Sequence, residues 1–120
     1  DRTIGEAGNM LNKGYFASAG PPKYLFILKR GGHFSFSDMD KINPSFGDGI
    51  GTETKRGKTV TFLASDLTKE IINAYTLAFF ECYLRKSTGA REFLQGNAYP
   101  EEVEYRCVTD GESPARPSSP

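Results

Sequence analysis

From Tyr24 to Leu28 the sequence Tyr-Leu-Phe-Ile-Leu is apolar at every position, set between Lys23 and Lys29 and closed by Gly31-Gly32. A strand with one wet face alternates apolar and polar residues. An uninterrupted run reads as a strand covered on both faces, the habit of a parallel sheet with helices on each side. One such strand cannot make a sheet alone. This reading therefore needs partner strands elsewhere in a parent chain or in another molecule. The sequence opens at Asp1, with no methionine and no signal-peptide pattern, and is read as a segment of something larger.

The remaining sequence supplies few candidate strands. Residues 3–16 have weak helical periodicity (Ile4, Met10, Leu11, Tyr15 or Phe16), diluted by Gly5, Gly8 and Gly14, and Ala19-Gly20-Pro21-Pro22 breaks the chain. Residues 34–58 read as a long loop rich in turn chemistry, including Gly47-Asp48-Gly49-Ile50-Gly51; loops of that length are often functional. The best helix starts near Asp66 as N-cap and runs to about Ser87, before Gly89. Its apolar stripe is Ile71, Ile72, Tyr75, Phe79, Cys82 and Tyr83, and Glu81 and Arg85 form an i,i+4 pair in the favourable order. Val103–Val108 alternates as a short edge strand, and residues 110–120 have the composition of a disordered tail.

Charge and composition narrow the function classes. The 15 basic and 15 acidic residues cancel, which argues against a nucleic-acid or anionic-membrane binder. No apolar run approaches a membrane span. The 2 cysteines rule out a disulfide-framework miniprotein and a four-cysteine zinc module. Cys82 reads as a buried small hydrophobe. Whether it pairs with Cys107 is open, and pairing would point to secretion.

His33, the chain's 1 histidine, follows the apolar strand after two glycines that permit a sharp turn. Loops at the C-terminal ends of parallel strands are where α/β proteins place catalytic groups. On position alone, a lone histidine is more often structural or a surface residue. The neighbouring sequence changes that balance. Lys23-Tyr-Leu-Phe-Ile-Leu-Lys-Arg-Gly-Gly-His33-Phe-Ser-Phe-Ser-Asp38 resembles the strand and histidine loop near the end of α/β-hydrolases. It is most similar to the branch of dienelactone hydrolases, bacterial platelet-activating-factor acetylhydrolase-like esterases and cutinase-like polyester hydrolases. Ile71–Phe80 with Tyr83-Leu84 resembles that branch's terminal helix, and Asp1-Arg-Thr-Ile4 resembles the stretch carrying its triad acid. The resemblance covers roughly residues 1–95.

The resemblance implies the C-terminal segment of an α/β-hydrolase fold: a parallel strand, a long histidine loop, a terminal helix and a short edge strand, over residues 1–109. It implies a serine-type carboxylic ester hydrolase in which His33 is general base and acid and Asp1 its orienting carboxylate. Phe34 and Phe36 would line an acyl or alcohol pocket, or simply pack under the loop. The substrate would be a small-molecule, lipid or polymer ester, and no cofactor or metal is implied. Secretion is slightly favoured by the resemblance. The nucleophile elbow Gly-x-Ser-x-Gly and an HGGG-type oxyanion segment are absent from the chain, so both are expected upstream of Asp1, and the chain alone should be inactive. Ser35 and Ser37 are discounted as nucleophiles, because neighbours in one loop rarely reach the imidazole in the required geometry. The alternative is a relative that kept the fold and lost the chemistry, acting as an interaction or structural module.

Other motifs carry less. Gly51-Thr-Glu-Thr-Lys-Arg-Gly57-Lys58-Thr59 departs from P-loop spacing and has no strand before it, so it reads as a flexible loop. Asp38, Asp40, Asn43 and Asp48 do not keep EF-hand spacing, and a solvated acidic loop is the better account.

Overall fold

The computed structural model describes residues 4–45 and 48–109. In chain order these form helix α1 (Gly5–Ser18), strand β1 (Lys23–Leu28), a 3-10 turn (His33–Phe36), and short helix α2 (Met39–Ile42). Strands β2 (Thr52–Lys55) and β3 (Lys58–Thr61), helices α3 (Ser65–Leu84) and α4 (Thr88–Leu94), and strand β4 (Val103–Val108) follow.

The apolar run is β1, and it pairs antiparallel with β4 in the register Lys23↔Val108 through Leu28↔Val103. Beyond the strand end, the Lys29 N–H donates to Glu102 O at 2.8 Å and continues the same register. That bond sets the phase, because residues of an antiparallel ladder alternate between bonded and non-bonded pairs. Lys23, Leu25 and Ile27 thus turn their backbone groups toward β4, while the N–H groups of Tyr24, Phe26 and Leu28 point to the opposite edge. No strand among the described residues lies on that edge. Both sheets among the described residues are antiparallel pairs. A parallel neighbour for β1, as the sequence reading requires, has only this second edge to occupy.

The core lies between this sheet and α3. Ile71, Tyr75, Ala78 and Cys82 follow one another at i, i+4, i+7 and i+11, bury one face of the helix, and join Leu94 of α4 and Val103 of β4. Tyr24, Phe26 and Leu28 of β1 and Tyr105 of β4 close over them. Tyr75 is central: its ring is 4.2 Å from Phe26 and 5.2 Å from Tyr105, centroid to centroid. Its hydroxyl accepts the Ala98 N–H at 2.8 Å and donates to Gly96 O at 3.2 Å, so burying the phenol strands no polar atom. Tyr24 and Tyr83 share a hydroxyl–hydroxyl bond of 2.6 Å, and burial first, then that bond, pushes the Tyr24 phenol well above its ordinary value.

Four expectations need correcting. The buried line of α3 runs through Thr68 and Ala78, and Ile72 and Phe79 sit on its flank at 36% and 40% exposure. Asp66 is not the N-cap, because Ala64 holds that position and Asp66 lies in the first turn beside Lys41 at 2.7 Å. The first turn is capped from a distance instead, by Asp40 Oδ2 accepting the Ser65 N–H at 2.9 Å. The helix also ends earlier than expected, at Leu84; Lys86 turns left-handed at φ +59°, and Ser87 caps α4 by accepting the Ala90 N–H at 3.2 Å. The expected loop 34–58 contains α2 and most of a hairpin. Its β2–β3 turn is made by Arg56 and Gly57, both at positive φ, the two-residue geometry that suits strand twist. The P-loop-like stretch is this hairpin, with Thr52 bonded to Thr61 and Thr54 to Thr59 across it.

Cys82 is buried and Cys107 half-buried, and no disulfide joins them. No described helix is long and apolar enough to cross a membrane. Asp1 and the tail 110–120 lie outside the described residues.

Candidate functional site

The imidazole of His33 is exposed at the start of the 3-10 turn that follows β1. Backbone chemistry puts it there. The Gly31 N–H folds back onto Leu28 O at 3.3 Å, and a Cβ at Gly31 would meet the Leu28 Cβ at 2.8 Å, so only glycine makes this exit from the strand without displacement. The His33 ring stands edge-on to Phe34, with centroids 5.3 Å apart.

The turn is fastened to the segment around Gly49. Ser35 is 2% exposed. Its hydroxyl accepts the Gly32 N–H at 2.8 Å and donates to Gly49 O at 3.2 Å. One residue away, the Phe34 N–H donates to Asp48 O at 2.8 Å. Gly32 and Gly49 approach so closely that a Cβ on Gly32 would lie 2.4 Å from Gly49 N, and one on Gly49 would lie 2.8 Å from Gly32 Cα. Gly49 also has φ +97°, where side chains are strained. With both hydrogen-bonding roles of its hydroxyl spent on backbone, Ser35 is a clamp rather than a nucleophile. Ser37 bonds only to near neighbours in sequence, donating to Phe34 O at 2.8 Å and accepting the Met39 N–H at the start of α2 at 3.3 Å.

Beside the turn runs a groove of about 850 Å³ along the open edge of β1, walled by α1 and α3. Phe36, 57% exposed, stands in its lining together with Ile72, Phe79 and Phe80. Phe34 is half-buried and is not part of that lining. The structure thus separates the two phenylalanines that the sequence grouped: one flanks the imidazole, the other faces the groove.

The acidic residues of the following segment are engaged in fastening α2 to α3. Asp38 bonds Lys69 and pairs with Lys41 at 3.5 Å, and the Lys69 ammonium foremost holds its carboxyl below the ordinary range. Asp40 is held low chiefly by the Ser65 N–H. Lys41 is held above its usual value by Asp66. No group of three or more His, Cys, Asp or Glu side chains that could hold a metal occurs among the described residues.

Sequence reasoning missed the clamp. Local sequence presents Ser35 only as a loop neighbour of His33, whereas its partner Gly49 lies 14 positions further on, a separation no local pattern encodes. The approach of Gly32 to Gly49 had a faint signal in the glycines themselves, but not in which of them meet. Compared with protein-family models, curated proteins and solved structures, the chain matches none.

Proposed function

We propose that this chain is the C-terminal segment of a serine-type carboxylic ester hydrolase, supplying the histidine that shuttles protons for a serine encoded upstream. The observation that carries the reading is an exposed imidazole on a fastened turn, directly after a strand whose second edge is open. In that role His33 takes the hydroxyl proton as serine attacks the ester carbonyl, then returns it to the departing alcohol. Asp1 is the proposed orienting carboxylate. The open edge of β1 and the apolar flanks of α1 and α3 support the segment reading, since they suit burial against further strands of the same domain. Protons and an acyl group are all that move, so the reaction needs no cofactor.

The test is the full-length parent carrying His33→Ala. Hydrolysis of a short p-nitrophenyl ester is expected to fall by roughly a thousandfold or more, with the fold retained by circular dichroism. Near-normal turnover would end the reading. A Gly-x-Ser-x-Gly elbow in the upstream residues is the second requirement. Its absence would leave the non-catalytic interaction module as the better account.

A further inference from the structure

We infer that Ser35 is a positioning residue for His33: its buried hydroxyl, bridging Gly32 and Gly49, fixes where the imidazole-bearing turn sits against the rest of the domain. The inference rests on the catalytic reading of His33. Three observations carry it. Ser35 Oγ is bonded on both sides to main chain, at 2.8 Å to Gly32 N and 3.2 Å to Gly49 O, and so ties the entry of the turn to the segment around Gly49. The residue is 2% exposed, so solvent cannot replace either bond without opening the turn. The Gly32–Gly49 contact leaves no room for a side chain on either partner, so the separation of the two backbones is fixed by contact as well as by hydrogen bonds.

The chemical consequence follows from how general bases work. A base must hold its nitrogen within hydrogen-bond reach of the serine hydroxyl, and a misplacement near 1 Å costs about a hundredfold in rate. Ser35 touches neither substrate nor the reacting atoms in this arrangement; it acts through the backbone of the turn. Losing it should lower the chemical step far more than ester binding, because proton transfer is the more sensitive of the two to where the ring sits.

The experiment compares Ser35→Ala, Gly49→Ala and Ser37→Ala in the full-length enzyme, with His33→Ala alongside. Ser35→Ala removes the bridge. Gly49→Ala disturbs it from the other side, since the added Cβ would lie 2.7 Å from Ser35 Oγ. Both are expected to lower kcat roughly tenfold to a hundredfold with KM within about twofold. Ser37→Ala, whose bonds reach only its near neighbours Phe34 and Met39, should keep kcat within about twofold of the parent. Thermal melts accompany each variant. If Ser35→Ala does not fold, Gly49→Ala alone carries the kcat-against-KM comparison. A loss of activity only in proportion to unfolded protein, or an equal effect of Ser37→Ala, overturns the positioning role. If His33→Ala abolishes turnover while Ser35→Ala and Gly49→Ala leave kcat untouched, this inference fails and the catalytic reading stands. If His33→Ala itself keeps its rate, the catalytic reading has failed instead.

Discussion

The two flanks of α3 make unlike surfaces from similar residues. On one, Ile71, Tyr75, Ala78 and Cys82 are sealed by α4 and by β1 and β4, none of them more than 8% exposed. On the other, Ile72, Phe79 and Phe80 look into the groove along the open edge of β1, where Ile4 of the α1 region also faces solvent. Both flanks are apolar, so composition does not separate them. What differs is whether a second element is present to cover them. A closed core and an open groove can thus share a single helix. On the proposed reading, a further strand of the parent domain would cover the open side along the second edge of β1.

The comparison breaks first on core truncation. With helical circular dichroism following denaturation of the chain alone, Leu94→Ala should cost about 2–4 kcal/mol and Phe80→Ala under about 0.5 kcal/mol. In the proposed parent hydrolase Phe80→Ala should rise to about 3 kcal/mol if further strands fill its surroundings. Equal costs for Phe80→Ala in both settings would mean that nothing covers the groove.

Hydrogen exchange sharpens the same contrast. In the chain alone, the amides of Leu25 and Ile27, turned toward β4, should exchange more slowly than those of Tyr24, Phe26 and Leu28. In the proposed parent hydrolase the alternation should vanish, both sets becoming protected. Persistent fast exchange at Tyr24 and Phe26 there would show that no strand joins this edge.

The smallest effect concerns the surface network between α2 and α3. Asp38 and Asp40 are held below their ordinary carboxyl range, chiefly by Lys69 and by the Ser65 N–H respectively. A carboxylate lowered by folding adds stability that is complete above its unfolded pKa, near 4, and is lost as pH falls through the lower folded value. The melting midpoint should therefore drop slightly as the medium is acidified below about pH 4, and Asp40→Asn should flatten that drop. A midpoint that falls identically in Asp40→Asn would remove Asp40 from the account.

Much of the element order was legible because it rests on short-range chemistry. The run Tyr24–Leu28 is a strand wherever it sits, and the spacing of Ile71, Tyr75 and Cys82 marks one helical face. Other features depended on neighbours that pattern cannot name. Asp66 has good capping chemistry, yet Asp40, 25 positions before Ser65, takes the cap. The hairpin at Thr52–Thr61 was obscured because Arg56-Gly57 is a less familiar pair for its turn than Asn-Gly. Ser87 carried a usable signal for α4 that was absorbed into the preceding helix.

Side-chain period and glycine placement alone specified that an apolar strand ends in a turn presenting His33, since both follow from the geometry of adjacent residues. Folding in three dimensions decided the rest: that β4 takes one edge of β1 and leaves the other open, and that Ser35 reaches Gly49 to hold the turn. Those outcomes depend on contacts between residues distant in the chain, whose free energy is set by burial and hydrogen-bond satisfaction rather than by local preference.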